Sequence, residues 1–158
     1  MQFNENRSST LVVDGGYKLG GRIDVAGNKN SALPLLAACL LTDQLCELTN
    51  MPCIRDVDVM VELLSGLGAV VERKGTTTLE VDCSKVSSDE PDPGLVGRLR
   101  GSVLLMGPLL ARVGTAKLAP PGGDFPARRS LSVHLQALRE LGVKERDGIG
   151  HVLDATDG

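Results

Sequence analysis

Five cations stand where helices should begin, and a single carboxylate interrupts the last of these places. Lys29 lies in "GNKNSALP", Arg98 and Arg100 open "RLRGSVLLMGPLLARVG", and Arg128 and Arg129 precede "SLSVHLQALRELG". A helix amino end carries partial positive charge, so acids belong there and cations are out of place. Asn28, Asn30 and Ser31 are residue types that cap a helix, which puts Lys29 at such an end. Ahead of Arg128 and Arg129, the Gly122-Gly123 pair allows backbone N–H groups to approach a ligand closely. Cations in three adverse places make chemical sense around a small polyanion, such as a phosphate that also bears a carboxylate, which arginine grips in bidentate fashion. Asp124, in "PGGDFPARRS", is then the odd group: a carboxylate between two glycines and two arginines. It lies too far ahead of the next helix to cap it directly.

Other chemistry-bearing residues read more plainly. "GGYKLGG" lacks the Gly-Lys-Ser/Thr ending of a phosphate loop, so its glycines are turn glycines. His134 reads as structural and His151 as a residue of an exposed strand. Cys39, Cys46, Cys53 and Cys83 form no Cys-x-x-Cys pair and have no histidine at ligand spacing, which fits reduced, mostly buried thiols, no metal and a cytoplasmic setting.

The elements that must position these groups repeat. "PLLA" at Pro34 to Ala37 returns at Pro108 to Ala111, Arg55 returns at Arg129, and Leu67-Gly68 returns at Leu141-Gly142, each 74 residues on. Shared spacing of separated matches indicates a duplicated unit. Each unit reads as a helix (Ser31 to Leu41; Ser102 to Val113), a short strand ("QLCELTN"; "TAKLAPP"), an amphipathic helix and a strand pair. The amphipathic faces are Val57, Met60, Val61 and Leu64 in the first copy, and Leu131, Leu135 and Leu138 in the second. Gly68 and Gly142 read as helix stops, and "SSDEPDPG" as the joint. A strand pair around "TLVVDGG" and "GRIDVAG" comes first. The fold class is α/β.

Composition closes off other roles. A net charge of −3, one Tyr, two Phe and no Trp offer neither phosphate-backbone attraction nor a stacking surface, so nucleic acid is not an expected partner. "ALPLLAACLL" is too short to span a bilayer and "MQFNENRSST" has no apolar leader core.

At "GGRIDVAGNKNSALPLLAACLL", "LRGSVLLMGPLLARVG" and "PGGDFPARRSLSVHLQALRELG" the chain resembles the enolpyruvyl transferases, from about Gly16 to its end. The resemblance implies transfer of the enolpyruvyl group of phosphoenolpyruvate to the 3-hydroxyl of UDP-N-acetylglucosamine, a step towards peptidoglycan precursors, with no metal or organic cofactor. It implies an inside-out α/β barrel lobe of three units, of which two are present: residues 1–21 as N-terminal strands, 22–92 as the first unit and 93–158 as the second. Lys29 and Asn30 take the positions that contact phosphoenolpyruvate and the nucleotide sugar, and Lys29 is also expected to serve catalysis. Arg100 and Arg129 take anion-binding positions, and Ser130, Leu131, Ser132 and Val133 the wall of the sugar pocket. Ser130 and Ser132 depart from the family's usual proline and aspartate there. Asp124 takes the place of a loop cysteine, the target of fosfomycin, and its implied role is proton donor to the methylene carbon of phosphoenolpyruvate.

A second lobe would supply the base for the sugar hydroxyl. Two repeats therefore fit an inactive fragment of a longer enzyme or a binding relic without turnover. An enolpyruvylshikimate phosphate synthase activity is a third possibility. Exposed repeat faces point to self-association.

Overall fold

A computed structural model describes residues 12–122, 130–148 and 150–155. Helix α1, Lys29–Ala38, starts where the sequence supplies a cap: the Asn28 side chain accepts the Asn30 N–H at 2.7 Å. It buries Ala32, Leu33, Leu36 and Ala37, then tightens into a 3-10 turn, Cys39–Leu41. Strand β1, Cys46–Leu48, leads to α2, Arg55–Gly66, whose first turn carries Asp56 and Asp58 as the helix dipole favours. Of the expected apolar face Val57, Met60 and Leu64 are buried and Val61 partly so, with Val59 and Leu63 also buried. Gly68 ends this helix at φ 107°, a left-handed geometry a side chain resists. Strands β2, Val70–Lys74, and β3, Thr78–Asp82, form the hairpin, turning at Gly75.

The second unit repeats the scheme. The joint ends in an unexpected short helix α3, Pro93–Val96, with Asp92 accepting the Leu95 N–H. The helix expected from Ser102 is a 3-10 segment, Arg100–Leu105, running into α4, Met106–Val113. Ser102 directs both its amide and its hydroxyl to the Leu99 carbonyl, and this three-residue spacing holds the tighter winding. Strand β4, Thr115–Leu118, helix α5, Ser132–Glu140, and strands β5, Lys144–Arg146, and β6, His151–Asp154, follow. Both antiparallel sheets place the last strand in the middle, β1-β3-β2 and β4-β6-β5. Equal topology in two successive stretches is the duplicated α/β architecture that the sequence echoes indicate.

The constant step of 74 conceals two compensating changes. Inward-facing Cys46 pairs with Val81, and Ala116 with Leu153, so the first strands correspond at a step of 70. Nine positions separate Ala37 from Cys46, but five separate Ala111 from Ala116; seven separate Leu48 from Arg55, but eleven separate Leu118 from Arg129. The first unit is thus four residues longer before its first strand, and the second four residues longer after it. The second insertion falls in the connection that carries Asp124.

One hydrophobic core runs through both units, from Ala32 to Leu153. Arg112, near the end of α4, stitches them. Its guanidinium donates to the carbonyls of Leu40 (2.9 Å), Thr42 (3.3 Å) and Val86 (3.4 Å) and to that of Cys83 (2.5 Å), and it pairs with Asp43 at 2.6 Å. Three of these acceptors lie in the first unit's longer connection.

Residues 12–28 form no strand, contrary to the expected N-terminal pair. Val12, Val13, Tyr17, Leu19, Ile23 and Val25 are all exposed. A strand exists through hydrogen bonds to a partner, and this stretch has no neighbouring strand among the described residues. Helix α5 is also thinly covered. Val133 is 73% and Leu141 81% exposed, whereas their first-unit counterparts Val59 and Leu67 are 4% and 2%.

Candidate active site

The start of α1 is fixed from below by a contact that excludes any side chain. A Cβ on Gly27 would lie 1.8 Å from the Asn50 carbonyl oxygen, and Asn50 itself takes a left-handed φ of 54°. The loop therefore seats on the β1 to α2 connection and presents Asn28, Lys29 and Asn30 outward. Lys29 is the first helical residue, as its adverse placement implies, and half of its side chain is exposed. The anion it calls for is supplied by the chain itself: its Nζ contacts the Asp56 carboxylate at the start of α2. Asn30 is exposed, its backbone N–H consumed by Asn28.

Two further glycine contacts draw the second unit's cation to this end of α1. Gly101 backs onto Leu33, where a Cβ would come within 2.8 Å of the leucine methyl; this sets Arg100, at the head of the 3-10 segment, beside the first turns of α1. Gly122 donates its N–H to the Val96 carbonyl at 3.1 Å, and its Cβ position lies 1.5 Å from the Gly97 carbonyl oxygen. The connection after Gly122 thus departs from the stretch that ends in Arg100. Asp124, Arg128 and Arg129 lie outside the described residues. At the far end Ser130 is exposed and accepts the Ser132 N–H at 3.0 Å, beginning α5. Ser132 and Val133 are exposed there, while the Leu131 side chain is a core group, 7% exposed. Lys29 and Asn30 share the head of α1, and Arg100 opens the segment whose Gly101 packs on Leu33 of that helix; of the residues expected on the sugar-pocket wall, three present side chains to solvent and Leu131 does not.

The two histidines depart from the settings expected of them, a structural His134 and an exposed His151. His134 is exposed, and His151 is half-buried with its Nδ1 3.2 Å from Glu145. Hydrogen bonds from Arg139 and then His151 hold the Glu145 carboxyl below the usual carboxylate range. Burial pushes the Cys39 thiol up to about 12 and the Cys83 thiol up to about 11, so neither ionises readily enough to act as a nucleophile. Cys46 is half-buried, and Cys53 is exposed and donates to the Thr76 carbonyl. Among the described residues no group of His, Cys, Asp or Glu is arranged to hold a metal. The sequence reading missed Asp56 and Arg112. An acid in the first turn of α2 is ordinary, and nothing local marks its partner 27 positions away.

Residues 13–147 match the family model of EPSP synthase (3-phosphoshikimate 1-carboxyvinyltransferase). The chain belongs to this enolpyruvyl transferase family. Among curated relatives, the UDP-N-acetylglucosamine 1-carboxyvinyltransferase of Bradyrhizobium diazoefficiens is 47% identical over 133 residues, 84% of this chain and 31% of the relative. That of Borreliella burgdorferi is 42% identical over 135 residues, 85% and 31% of the two. The crystal structure of the enolpyruvyl transferase NikO from Streptomyces tendae superposes with a TM-score of 0.74 at 30% identity, over 90% of this chain and 31% of that one. The chain thus spans about a third of the length of these transferases, and its two units are part of the α/β enolpyruvyl transferase fold. No helix among the described residues is long and apolar enough to cross a membrane.

Proposed function

We propose that this transferase segment, with units at 22–92 and 93–158, contributes one wall of a site that moves the enolpyruvyl group of phosphoenolpyruvate to the 3-hydroxyl of UDP-N-acetylglucosamine. The observation that carries this reading is the 47% identity to a relative named for that reaction. Lys29, Asn30, Arg100 and Arg129 seat the anionic substrate and the nucleotide sugar, with Ser130, Leu131, Ser132 and Val133 along the sugar side. Asp124 gives its proton to the methylene carbon while the sugar oxygen bonds to the adjacent carbon. Loss of a methyl proton and of phosphate then regenerates the double bond on the new ether. Nearby arginines favour ionised Asp124, and bound phosphoenolpyruvate offsets them, so protonation accompanies substrate capture. The setting we propose is the cytoplasm, where both substrates are made.

The isolated chain is expected to release no phosphate from the two substrates, since it is about a third of a transferase. A chimera tests the reading: these 158 residues replace the matching stretch of the Bradyrhizobium diazoefficiens relative, and enolpyruvyl transfer is measured. Turnover that Lys29→Gln abolishes supports the assignment. A folded chimera that binds neither substrate overturns it.

A further inference from the structure

The first turn of α2 offers two carboxylates, and they part ways. Asp58 turns to Arg73 at 2.9 Å, against the hairpin of its own unit. Asp56 turns the other way and meets Lys29 at the head of α1. The two partners are not equally free to move. Asp56 is two-thirds buried and held on a helix end whose dipole favours it, with Val57 and Met60 behind it fully buried. Lys29 carries its charge on a flexible four-carbon stem that is half exposed. A partly exposed pair of this kind is weakly bound, so the lysine can change partner at little cost.

We infer that Asp56 is the resting occupant of the Lys29 anion seat: a carboxylate of the chain stands in for the ligand, and an anion is captured by exchange of the lysine from Asp56 to the newcomer. The inference rests on the reading of Lys29 as a contact to the phosphate of phosphoenolpyruvate. Because the carboxylate is fixed on α2, it repels whatever anion displaces it. A ligand with one anionic group bears that penalty unaided, whereas phosphoenolpyruvate brings a second group for an arginine. Asp56 therefore lowers the affinity for both anions by a like factor, a loss that only the ligand with a second group makes up, and it helps to clear phosphate once it is formed.

The test uses the 158-residue chain, with the Lys29 amine and the Asn30 backbone amide resonances followed by NMR during titration with inorganic phosphate and, separately, phosphoenolpyruvate; in Lys29→Gln the Asn30 amide is the readout. Removing a unit charge about 4 to 6 Å from an anion in a water-like setting changes affinity by about three- to sixfold. Asp56→Asn is expected to bind phosphate and phosphoenolpyruvate each tighter by about that factor, and Lys29→Gln in the same background is expected to erase the gain. Asp56→Ser, which keeps a capping oxygen, should behave alike. A purely structural role for Asp56 predicts unchanged or weaker binding, and that result in a folded variant overturns the inference. If Lys29→Gln weakens phosphoenolpyruvate while Asp56→Asn has no effect, exchange fails and the functional reading stands. If Lys29→Gln has no effect on phosphoenolpyruvate, both fall.

Discussion

On the proposed reading Asp124 is a hard oxygen group where the resemblance implies a soft sulfur one in most members of the family and an aspartate in a minority, and the difference separates two properties that a cysteine combines. Proton donation needs an acid; alkylation by the epoxide fosfomycin needs a thiolate. In the chimera, Asp124 is expected to confer resistance, and Asp124→Cys to retain turnover while acquiring time-dependent inactivation by the drug. Asp124→Asn keeps the shape without the proton and is expected to lose about a hundredfold or more in rate, the usual worth of general acid catalysis. Normal turnover by the asparagine variant would return Asp124 to a loop-shaping role. Lys29 was legible from its wrongness at a helix start. Its partner was not, because an ion pair between α1 and α2 depends on how the two helices pack, and no local pattern encodes that.

Elements were legible where periodicity and punctuation agreed. The amphipathic stripe of α2 and the stops at Gly68 and Gly142 appear as read, because a buried stripe and a left-handed glycine are local requirements. The start of α1 shifts by two residues and its end becomes a 3-10 turn, since the cap at Asn28 outweighs the apolar pattern. The N-terminal strands do not form in residues 12–28 of this chain, because alternation marks a face to bury without naming its partner, which the resemblance places in the other lobe. The glycine contacts were invisible for the same reason, and one gives a test. Gly27→Ala would force a methyl into the Asn50 carbonyl, so the loop or the β1 to α2 connection must move. Overpacking of this kind costs about 1–3 kcal/mol. Thermal unfolding should register it, and the Lys29 amine resonance should shift as the loop unseats. An unchanged spectrum would show that the contact does not position the lysine.

For the molecule as a whole, cohesion between the units rests on the shared core and on Arg112. Replacing that arginine by alanine leaves the part-buried carbonyl bonds at Leu40 and Cys83 without their donor, at a cost of about 3 kcal/mol. For a domain of this size the unfolding midpoint should fall by roughly 6–12 °C. Arg112→Lys should recover little, because one ammonium cannot reach a spread of acceptors that a planar fork spans. A loss below 1 °C would show that the core and the Asp89 contacts to Thr115 and Lys117 suffice to join the halves. The uncovered side of α5 predicts association of the isolated chain. Sedimentation should show oligomers that Leu141→Lys disperses, and a clean monomer of the unaltered chain at high concentration would contradict that.

The duplicate halves differ by two insertions of four residues, and on the proposed role of Asp124 this asymmetry is a division of labour. A tandem made by copying the first half twice would have acceptors enough for two seams, but no long connection to carry an acid. A tandem of the second half would have two such connections but would lack the Leu40, Thr42 and Asp43 acceptors that the longer connection gives Arg112. Symmetrising the protein in either direction would therefore cost it cohesion or chemistry. The eight residues by which the halves disagree are the ones a designer of an idealised repeat would be tempted to remove first.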